Sequence, residues 1–574
     1  MAHAERRRLT AVARGEAPAD LFLRGGTLLN VYTGELYPAH VAAAGERVAY
    51  VGSREDMVGP RTRVLDVAGR VLVPGYIDPH VHPAHLITPS ALARHVLPLG
   101  TTTVFADTLQ IWELGGLPAF RATAGALARS PMKFYWMIRS HSQSRATDEA
   151  ARFRLADLAR ALGHPATVAL GEVTRWPDAW RGEPEMLERL DLARRRRLRV
   201  EGHTAGASGE KIAAIAAAGF TSDHESISAK EVLQRARQGI AVMLRESSLR
   251  PDLAGLLDAL KEAPGLAGRV MLTADGSMPA FVRDHGFVDH LLRVAMEGGV
   301  PPVDAYRMAT LNAATYFGLD AEIGGVAPGR QADVCVLRDL ADPRPETVIA
   351  RGRVVADAGR LTVAVPEPVW RRVLTSPEAR LTVRWRARTD DFALPARERY
   401  PVVRLVSAVI TRLEERAIGP GDLHGALIDR GGRWVAPAIV AGFGERIDGL
   451  ASTISTDFNI LVLGRRPESM ARAVNRLLAL RGGIVVVDGD SPAFELPLPL
   501  GGVMTPASLP ETARLEDGLR AALMARGYPH HEPLFTLFFL SADFLPHVRL
   551  TPRGVWDVKQ SRVLLPARRR ARAR

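Results

Sequence analysis

Three histidines stand within six positions of the stretch VPGYIDPHVHPAHLITPS, residues 73–90. His80 and His82 are two residues apart behind a short apolar run, and His85 follows them. In a β-strand, residues i and i+2 point to the same side, so the imidazoles of His80 and His82 would face one space. Two imidazoles arranged in this way suit a metal ion. A single His-x-His pair is weak evidence, so the hypothesis depends on further ligands elsewhere in the chain.

Four more residues of metal-binding type end apolar runs later in the chain, namely Glu172, His203, His224 and Asp275. With the first two histidines they make four imidazoles and two carboxylates. Two divalent cations that share a bridging carboxylate and a bridging hydroxide need about this number of ligands. Such a pair of cations lowers the pKa of water toward neutrality and polarises the bond under attack. A carboxylate beside them carries a proton to the leaving group.

Eight apolar strand candidates position these residues, and helical patterns separate the candidates. The candidates are VLVPGYIDPHVH, TTTVFAD, MKFYWMIRSH, ATVALGE, RLRVEGH, GFTSDH, GIAVMLRE and RVMLTAD. In that order they end on His, Asp, His, Glu, His, His, Glu and Asp. Eight βα repeats predict a (β/α)8 barrel, in which the C-terminal ends of the strands build the active site.

Strand-like segments with glycine turns flank the barrel region on both sides. We predict that residues 1–72 and 320–365 pair into one small composite β-domain, with the barrel at 73–319. The Pro-rich AVPEPVW marks a linker, and residues 366–574 are predicted to form a C-terminal domain with a basic tail. The predicted fold class is therefore α/β, a TIM-type barrel with a composite β-domain and a C-terminal α+β domain.

The composition is typical of a soluble globular protein, with 47% hydrophobic and 24% charged residues among 574. No apolar run reaches the roughly 18 residues of a membrane helix, and the charged N-terminal segment does not resemble a secretory signal. The single cysteine, Cys335, excludes an intrachain disulfide framework. We predict a cytoplasmic enzyme.

The formal net charge is +12, and part of it lies in the terminal ARRRARAR, where five of the last seven residues are arginine. We predict a solvated, disordered tail. A patch for nucleic acid or for a membrane surface is less favoured, because no aromatic residues are interleaved with the arginines. The predicted partner is a small-molecule substrate, with no nucleic acid and no membrane.

Several motifs resemble the amidohydrolase superfamily and, within it, the adenine deaminases. PGYIDPHVH resembles the first metal motif of the family, and LPLGTTTVFAD its second strand. EGHTAGASGEKI, AAGFTSDHES and VMLRESS follow in the family's order. ELPLPLGGVM and HVRLTPRGVWDV resemble its C-terminal domain, so the resemblance covers nearly the whole chain.

The resemblance implies a binuclear site that holds two divalent metal ions, with manganese, iron and zinc all open. By position, His80, His82 and Asp275 would hold one ion, and His203 and His224 the other. Glu172 would bridge the two ions. Asp275 would also carry the proton during catalysis. The resemblance further implies a homo-oligomer, a dimer.

The residues around the metal ligands depart from the adenine deaminase pattern. HPAH places Ala84 and His85 where the family has Glu and Ser. In DTLQ, Asp107 is kept, but Leu109 and Gln110 stand where the family has His and Glu. TADG places Gly at the second Asp of the family motif, and STDFN places Ser and Phe at two His positions, 455 and 458. A site that recognises the hydrogen-bond donors and acceptors of a heterocycle loses much of its binding free energy when its own polar groups are replaced. We therefore expect a substrate other than adenine.

Six residues are candidates for substrate binding: His85, Asp107, Gln110, His141, Arg245 and Glu246. His85 and His141 could supply an acid or an orienting group, and a surface position in a loop is an equally good interpretation of each. Arg245 and Glu246 could form a buried salt bridge under the site or contact the substrate. We predict that Trp176 and Trp180 are packing residues, unless the substrate is apolar and contacts them.

The sequence favours a metal-dependent hydrolase in which a metal-bridging hydroxide attacks an sp² carbon and expels nitrogen, either by deaminating a purine-like heterocycle or by hydrolysing an amide. Glu172 and Asp275 are the predicted catalytic residues. One alternative is an authentic adenine deaminase, which converts adenine and water to hypoxanthine and ammonia. Another is a non-catalytic barrel used for binding, but its metal ligands would be broken, and all six positions here are filled.

Overall fold

The computed structural model describes residues 3–144 and 149–570. It begins with helix α1 (His3–Ala13), which packs through Leu9 and Val12 against the first sheet. The first five strands are β1 (Leu21–Asn30), β2 (Glu35–Ala44), β3 (Arg47–Gly52), β4 (Arg63–Asp66) and β5 (Val71–Pro74). Alternating buried apolar positions, such as Leu21 and Leu23 of β1, place one face of this sheet in a small core.

Eight parallel strands then form the barrel, in chain order around it. They are β6 (Tyr76–Val81), β8 (Thr101–Asp107), β9 (Lys133–Ile138), β10 (Thr167–Val173), β11 (Arg199–Gly202), β12 (Ser222–Asp223), β13 (Ala241–Arg245) and β14 (Met271–Thr273). A parallel bridge between Val81 and Asp275 closes the barrel from the last strand back to the first. The short β7 (Leu86–Ile87) follows β6 outside the barrel. The predicted barrel is confirmed.

The first strand candidate is divided between two sheets. Its beginning becomes β5 in the flanking sheet, and its end becomes β6 in the barrel. Gly75 separates the two, because a side chain there would collide with Thr102 of the neighbouring strand β8. The break therefore lies where the backbone must pass closest to the second barrel strand.

Helices lie between the barrel strands and continue after the last of them. They are α2 (Pro89–Val96), α3 (Leu109–Leu127), α4 (Glu149–Arg152), α5 (Leu155–Leu162), α6 (Trp176–Arg181), α7 (Pro184–Arg195), α8 (Gly209–Ala218), α9 (Ala229–Arg237), α10 (Leu253–Leu256), α11 (Asp258–Glu262), α12 (Pro279–His285), α13 (Val288–Glu297), α14 (Pro302–Met308) and α15 (Leu311–Tyr316). Capping sets some of their starts: Ser228 accepts a hydrogen bond from Glu231 N at the start of α9. None of the helices in the described part of the chain is both long and apolar enough to span a membrane.

After the barrel the chain returns to the first sheet. It adds β15 (Val334–Leu337), β16 (Thr347–Ala350), β17 (Arg353–Asp357) and β18 (Arg360–Leu361). β15 pairs antiparallel with β5, so the two flanks of the barrel share one sheet. The composite β-domain of the predicted fold class is therefore confirmed, whereas its residue boundaries stay a prediction.

A second nine-stranded sheet organises the C-terminal part of the chain, in the order β20-β19-β22-β21-β24-β23-β25-β26 with β31 beside β22. In chain order the elements are α16 (Trp370–Val373), β19 (Tyr400–Leu405), β20 (Thr411–Arg416), β21 (Leu423–Ile428), β22 (Trp434–Ala441), β23 (Gly449–Ser452), β24 (Ile460–Gly464), α17 (Pro467–Ala479), β25 (Gly483–Asp488), β26 (Ser491–Pro497), β27 (Met504–Thr505), α18 (Leu509–Met524), α19 (Pro533–Phe539), β28 (Val548–Thr551), β29 (Gly554–Asp557), β30 (Arg562–Pro566) and β31 (Arg568–Arg569). α17 packs on the sheet through Met470, Val474 and Leu477.

Several contacts tie this C-terminal part to the barrel, including the packing of α16 on α3. β27 pairs with β7 just after the first metal motif. α18 packs on α12, and the buried Glu516 of α18 accepts a hydrogen bond from Ala280 N at 2.8 Å. These contacts bring the C-terminal part to the end of the barrel where β6 and β14 finish.

The basic tail corrects one prediction. Arg568 and Arg569 form β31 and pair with β22. Arg570 makes an ion pair with Asp391 at 2.6 Å, and its guanidinium lies 4.4 Å from the centre of the Trp385 ring. The predicted disorder is wrong for these three arginines, because strand pairing holds Arg568 and Arg569, and a carboxylate and an aromatic face hold Arg570. Arg568 and Arg569 are exposed to solvent, as predicted. Residues 571–574 of the predicted tail lie outside the described residues.

Candidate metal centre

The first ligand group forms where β6 and β14 end. The Nε2 atoms of His80 and His82 are 3.2 Å apart. Asp275 Oδ1 lies 3.4 Å from His80 Nε2 and 3.3 Å from His82 Nε2. The ligand atoms of these three residues all lie within 4.8 Å of one another, which is the spacing around one bound cation.

The second ligand group is formed by β10, β11 and β12. Its members are Glu172, His203 and His224, whose ligand atoms again lie within 4.8 Å of one another. Glu172 Oε1 is 2.5 Å from His203 Nδ1 and 3.5 Å from His224 Nε2. Its other oxygen, Oε2, is 3.6 Å from His82 Nε2 of the first group. The carboxylate of Glu172 therefore lies between the two groups.

The backbone at the barrel end holds the first group in register. Buried Asp78 accepts hydrogen bonds from His80 N, Ala274 N and the Thr273 hydroxyl. These bonds join the first strand of the barrel to the last. Asp275 has a positive φ of 48°, a strained backbone that turns its side chain toward the histidines. Burial raises the pKa of Asp78 to about 7.

Glu201 is a functional residue that the sequence reasoning missed. Its Oε1 lies 2.7 Å from His224 Nδ1, and its Oε2 lies 3.5 Å from His80 Nδ1. It thus faces the outer nitrogen of one histidine from each group and can fix both ring orientations. The available signal was its position two residues before His203 on the same strand, which places both side chains on one side.

Arg139 was also missed, and it lies beneath the second group. Its Nη2 is 2.5 Å from Glu172 Oε2, and its Nη1 donates to the Glu172 carbonyl at 2.9 Å. Its Nε lies 3.1 Å from Asp107 Oδ2. A fully buried arginine requires such partners, so its place at the end of the third apolar strand was a usable signal.

Charged neighbours keep the carboxylates of the site ionised. Burial raises the pKa of Glu172, but Arg139 and then His203 lower it well below its usual range. Burial also raises the pKa of Asp275, and hydrogen bonds with His80 and His82 lower it well below its usual range. Burial lowers the pKa of His82, whereas Asp107 and Asp275 raise it to about 10.

The donor set fits a pair of divalent cations. The six side chains offer only imidazole nitrogens and carboxylate oxygens, which suit manganese, iron or zinc. His203 Nδ1 is buried beside Glu172 and Glu225 yet makes no hydrogen bond of good geometry with any described residue. A cation that replaced the imidazole protons would satisfy such atoms and neutralise the carboxylates.

A cavity of about 790 Å³ opens above the two ligand groups. Of the residues predicted to bind substrate, His85, Gln110 and Arg245 line it, and Trp176 and Trp180 line its outer part. Arg245 forms a buried ion pair and also lines the cavity. Its Nη1 pairs with Glu225 and lies 3.2 Å from Asp275 Oδ2. Arg245 and then His203 lower the pKa of Glu225 to about 2, against the effect of burial.

Three predicted substrate residues do not line this cavity. His141 is buried beside Ser140 and Thr174 and lines a separate cavity of about 310 Å³. Asp107 lies below the ligands, where it accepts hydrogen bonds from Leu109 N and Glu172 N. Glu246 accepts from Leu253 N at 3.2 Å and faces His290. Strand-end position alone does not decide whether a side chain points into the cavity or beneath its floor.

The C-terminal STDFN segment also lies apart from this cavity. Phe458 lines a different cavity of about 510 Å³ with Arg430, and Ser455 donates a hydrogen bond to Asp457 at 2.9 Å. The departures from the family pattern at 455 and 458 therefore remove no group from the wall above the metal ligands.

The upper wall of the cavity comes from the C-terminal part, and no motif had indicated it. Four phenylalanines of α19 and the following loop, together with Val409, Ile410 and Leu545, cover the ligand groups. The four phenylalanines are Phe535, Phe538, Phe539 and Phe544, which we call the aromatic roof. The C-terminal part thus completes the site.

Comparisons with known proteins agree with this architecture. The amidohydrolase family model matches residues 71–355, and the adenine deaminase C-terminal domain model matches residues 416–562. An adenine deaminase of Methylobacterium nodulans is 36% identical, with 98% of this chain and 100% of that protein covered. One of Rubrobacter xylanophilus is 35% identical, with 96% and 95% covered. Among solved structures, a β-aspartyl dipeptidase from Fervidobacterium islandicum AW-1 has a TM-score of 0.48 at 18% identity, over 60% of this chain and 99% of that one.

Proposed function

The chain belongs to the amidohydrolase family, a metal-dependent family of hydrolases, and we propose that it uses two divalent metal ions to hydrolyse a carbon–nitrogen bond in a small molecule. The observation that carries this proposal is the position of Glu172. One oxygen of its carboxylate faces His203 and His224, and the other faces His82. A carboxylate shared in this way is what a two-metal site requires.

We assign one ion to His80, His82 and Asp275 and the other to His203 and His224, with Glu172 between them. Glu201 and Arg139 are positioning residues in this assignment. Glu201 orients one histidine from each group, and Arg139 holds the Glu172 carboxylate from below. The choice among manganese, iron and zinc is open to this ligand set.

Asp275 is the proposed proton carrier. Bound ions would lower the pKa of water and polarise the bond under attack. Asp275 Oδ1 faces the two histidines of the first group, whereas Oδ2 is held 3.2 Å from Arg245. Its carboxylate accepts a proton from the attacking water and delivers that proton to the departing nitrogen. Water adds to the carbon, the C–N bond breaks, and the nitrogen leaves as ammonia or an amine.

Adenine deamination is the second candidate, and the full-length identity to proteins named adenine deaminase favours it. In that reaction adenine and water give hypoxanthine and ammonia. The cavity wall weighs against it, because Leu109 and Gln110, which line the cavity, stand where the resemblance places His and Glu. Incubation of the manganese-loaded protein with adenine, followed by measurement of ammonia, decides between the two substrates.

Metal analysis tests the proposed function itself. We expect close to two divalent ions per chain in the purified protein, and at most one in Glu172→Gln together with a loss of turnover. Glu188→Gln, an exposed glutamate on α7, is the matched control and should keep both ions. Two ions and full activity in Glu172→Gln would contradict the assignment.

We further propose that the enzyme is a cytoplasmic homodimer. The family resemblance supports the dimer, and the lone thiol, which is buried as Cys335, is compatible with a reducing compartment. Light scattering during gel filtration should give twice the mass of the 62.3 kDa chain. A monomer at micromolar concentration would contradict the dimer.

A further inference from the structure

The aromatic roof forms a continuous row above the two ligand groups. The ring centre of Phe538 is 5.2 Å from that of His85, and Phe539 is 5.1 Å from Phe538. Phe544 continues the row at 6.2 Å from Phe539 and meets the ligand His203 edge-on at 5.3 Å. Any molecule that reaches the ligand groups must therefore lie between them and a wall of aromatic rings.

Apolar lining continues beyond this row. Val409, Ile410 and Leu545 extend the roof, and Trp176 and Trp180 form the outer wall. The cavity of about 790 Å³ lies within the range that buries a drug-sized molecule. A molecule consisting only of a small polar ring would leave much of this apolar surface exposed to water, and burying that surface is a source of binding free energy.

The inner cations are already paired. Arg245 contacts both Glu225 and Asp275, and Arg250 lies 3.5 Å from Glu225. These carboxylates engage the Nη1 atom of Arg245, whereas its Nε and Nη2 atoms are buried without a hydrogen-bond partner among the described residues. The carboxylates offset the arginine charge, and the unpaired donors fit an uncharged acceptor at the hydrolysed bond.

Two buried carboxamides supply uncharged hydrogen-bonding groups. Gln110 is 3% exposed and Gln143 is 4% exposed, and both line the cavity. The Oε1 atom of each is buried and has no hydrogen-bond partner among the described residues. Leaving a buried acceptor unpaired costs about 1–3 kcal/mol, so a ligand with an N–H donor would recover that cost.

We propose that the substrate is an uncharged amide or amino-heterocycle with an aromatic or branched apolar group next to the hydrolysed C–N bond. This inference rests on the proposed function for the bond that is broken. The aromatic roof packs on the apolar group, and Gln110 and Gln143 accept hydrogen bonds from N–H groups of the substrate. The phenylalanines of the C-terminal part are then specificity-determining residues.

Binding to the metal-free protein tests the inference without relying on turnover. Calorimetry should show that 4-tert-butylbenzamide binds at least about tenfold more tightly than acetamide, since burial of a phenyl-sized group contributes about that factor. Phe538→Ala should lose about tenfold in affinity for the larger amide and much less for acetamide, so the ratio of the two affinities should fall. Phe538→Leu, which keeps an apolar side chain, should lose less and guards against a folding defect in the alanine variant.

Phe494→Ala is the matched control, because Phe494 lies on β26 in the same C-terminal part and does not line the cavity. It should bind both amides as the wild type does. Equal affinity for the two amides, or equal losses in the Phe538 and Phe494 variants, would overturn the inference.

Hydrolysis by the metal-loaded enzyme separates this inference from the proposed function. We compare acetamide with benzamide and N-benzylacetamide, and adenine with N6-benzyladenine. We expect kcat/KM at least tenfold higher for a benzyl- or phenyl-bearing compound than for its small counterpart.

Turnover of the small compounds at equal or higher kcat/KM would refute the substrate class while leaving the hydrolase intact. Selective binding with two bound metals and no hydrolysis of any compound would refute the hydrolase while leaving the binding preference intact.

Discussion

The cavity has a floor, formed by the two ligand groups, and a roof, formed by the phenylalanines. The two differ in their position in the chain, in their chemistry and in how far the sequence predicts them. The floor consists of imidazoles and carboxylates at the ends of barrel strands, from His80 in β6 to Asp275 after β14. The roof consists of phenylalanines from α19 and its following loop, more than 250 residues later in the chain. In our proposal the floor activates water and the roof contacts the rest of a substrate. Reaction type and substrate choice would then reside in different parts of the fold.

The largest predicted effect is on the floor. Asp275→Asn removes the proton acceptor and one ligand, so turnover should fall by about 10³-fold on every substrate alike. The measurement is kcat on a small and a large amide. Asp284→Asn, at an exposed carboxylate on α12, is the control and should leave kcat unchanged. A loss confined to the larger amide would contradict the assignment of catalysis to the floor and of substrate selection to the roof.

The second effect tests the support below the floor. Glu201→Gln keeps the shape of the side chain but removes the charge that faces His80 and His224, so metal affinity should fall by about 10- to 100-fold. Competition with a chromogenic chelator measures this affinity. Binding of 4-tert-butylbenzamide to the metal-free variant should be unchanged. Unaltered metal affinity would contradict the proposal that the charge of Glu201 orients His80 and His224.

The third effect belongs to the roof. Phe544→Leu removes the ring that meets His203, and we expect about a tenfold loss in kcat/KM for the larger amide. Metal content and kcat on acetamide should stay at the wild-type level. If the variant instead loses metal, the roof also supports the floor, and the two regions are not separable.

The smallest effect concerns the contact between α18 of the C-terminal part and α12 of the barrel. Burial raises the pKa of Glu516 to about 8, well above its usual range, and the carboxyl group accepts a hydrogen bond from Ala280 N. The folded state therefore holds this proton more tightly than the unfolded state. Its contribution to stability is complete below about pH 4.5 and is lost as pH rises toward 8. Between pH 7 and 8 the free energy of unfolding should fall by roughly 1 kcal/mol more in the wild type than in Glu516→Gln.

Urea denaturation at the two pH values measures this difference. Titrating groups remote from Glu516 cancel when the wild type and the variant are compared, whereas Glu532 interacts with Glu516 and contributes to the raised pKa of that group. An identical pH dependence in both proteins would contradict the role assigned to Glu516.

The floor was predictable from the sequence because two simple rules coincide there. Barrel strands bring their C-terminal ends together, and the residue types at those ends are metal ligands. The same rules did not place His141 and Glu246 on the cavity wall. His141 lies three residues beyond the end of β9, and Glu246 directly follows Arg245, so strand alternation directs its side chain to the opposite side. Arg139 and Glu201 each stand two residues before the end of an apolar run, so a rule based on the last residue does not include them.

The roof could not have been predicted by such rules. Its phenylalanines resemble ordinary core residues. Contacts between segments far apart in the chain bring α19 over the barrel, such as the pairing of β27 with β7, the packing of α18 on α12 and the hydrogen bond from the Ser144 hydroxyl to the Ser541 carbonyl. The arginines at 568–570 show the same limit. Their partners, Asp391 and Trp385, are distant in sequence, so local composition indicated a solvated tail.

The most direct test of the central claim is anomalous diffraction from crystals soaked with manganese and with zinc. The account predicts two peaks per chain, one among His80, His82 and Asp275 and one beside His203 and His224. The carboxylate of Glu172 should lie between the two peaks. A single peak, or a second peak away from these residues, would contradict a binuclear centre.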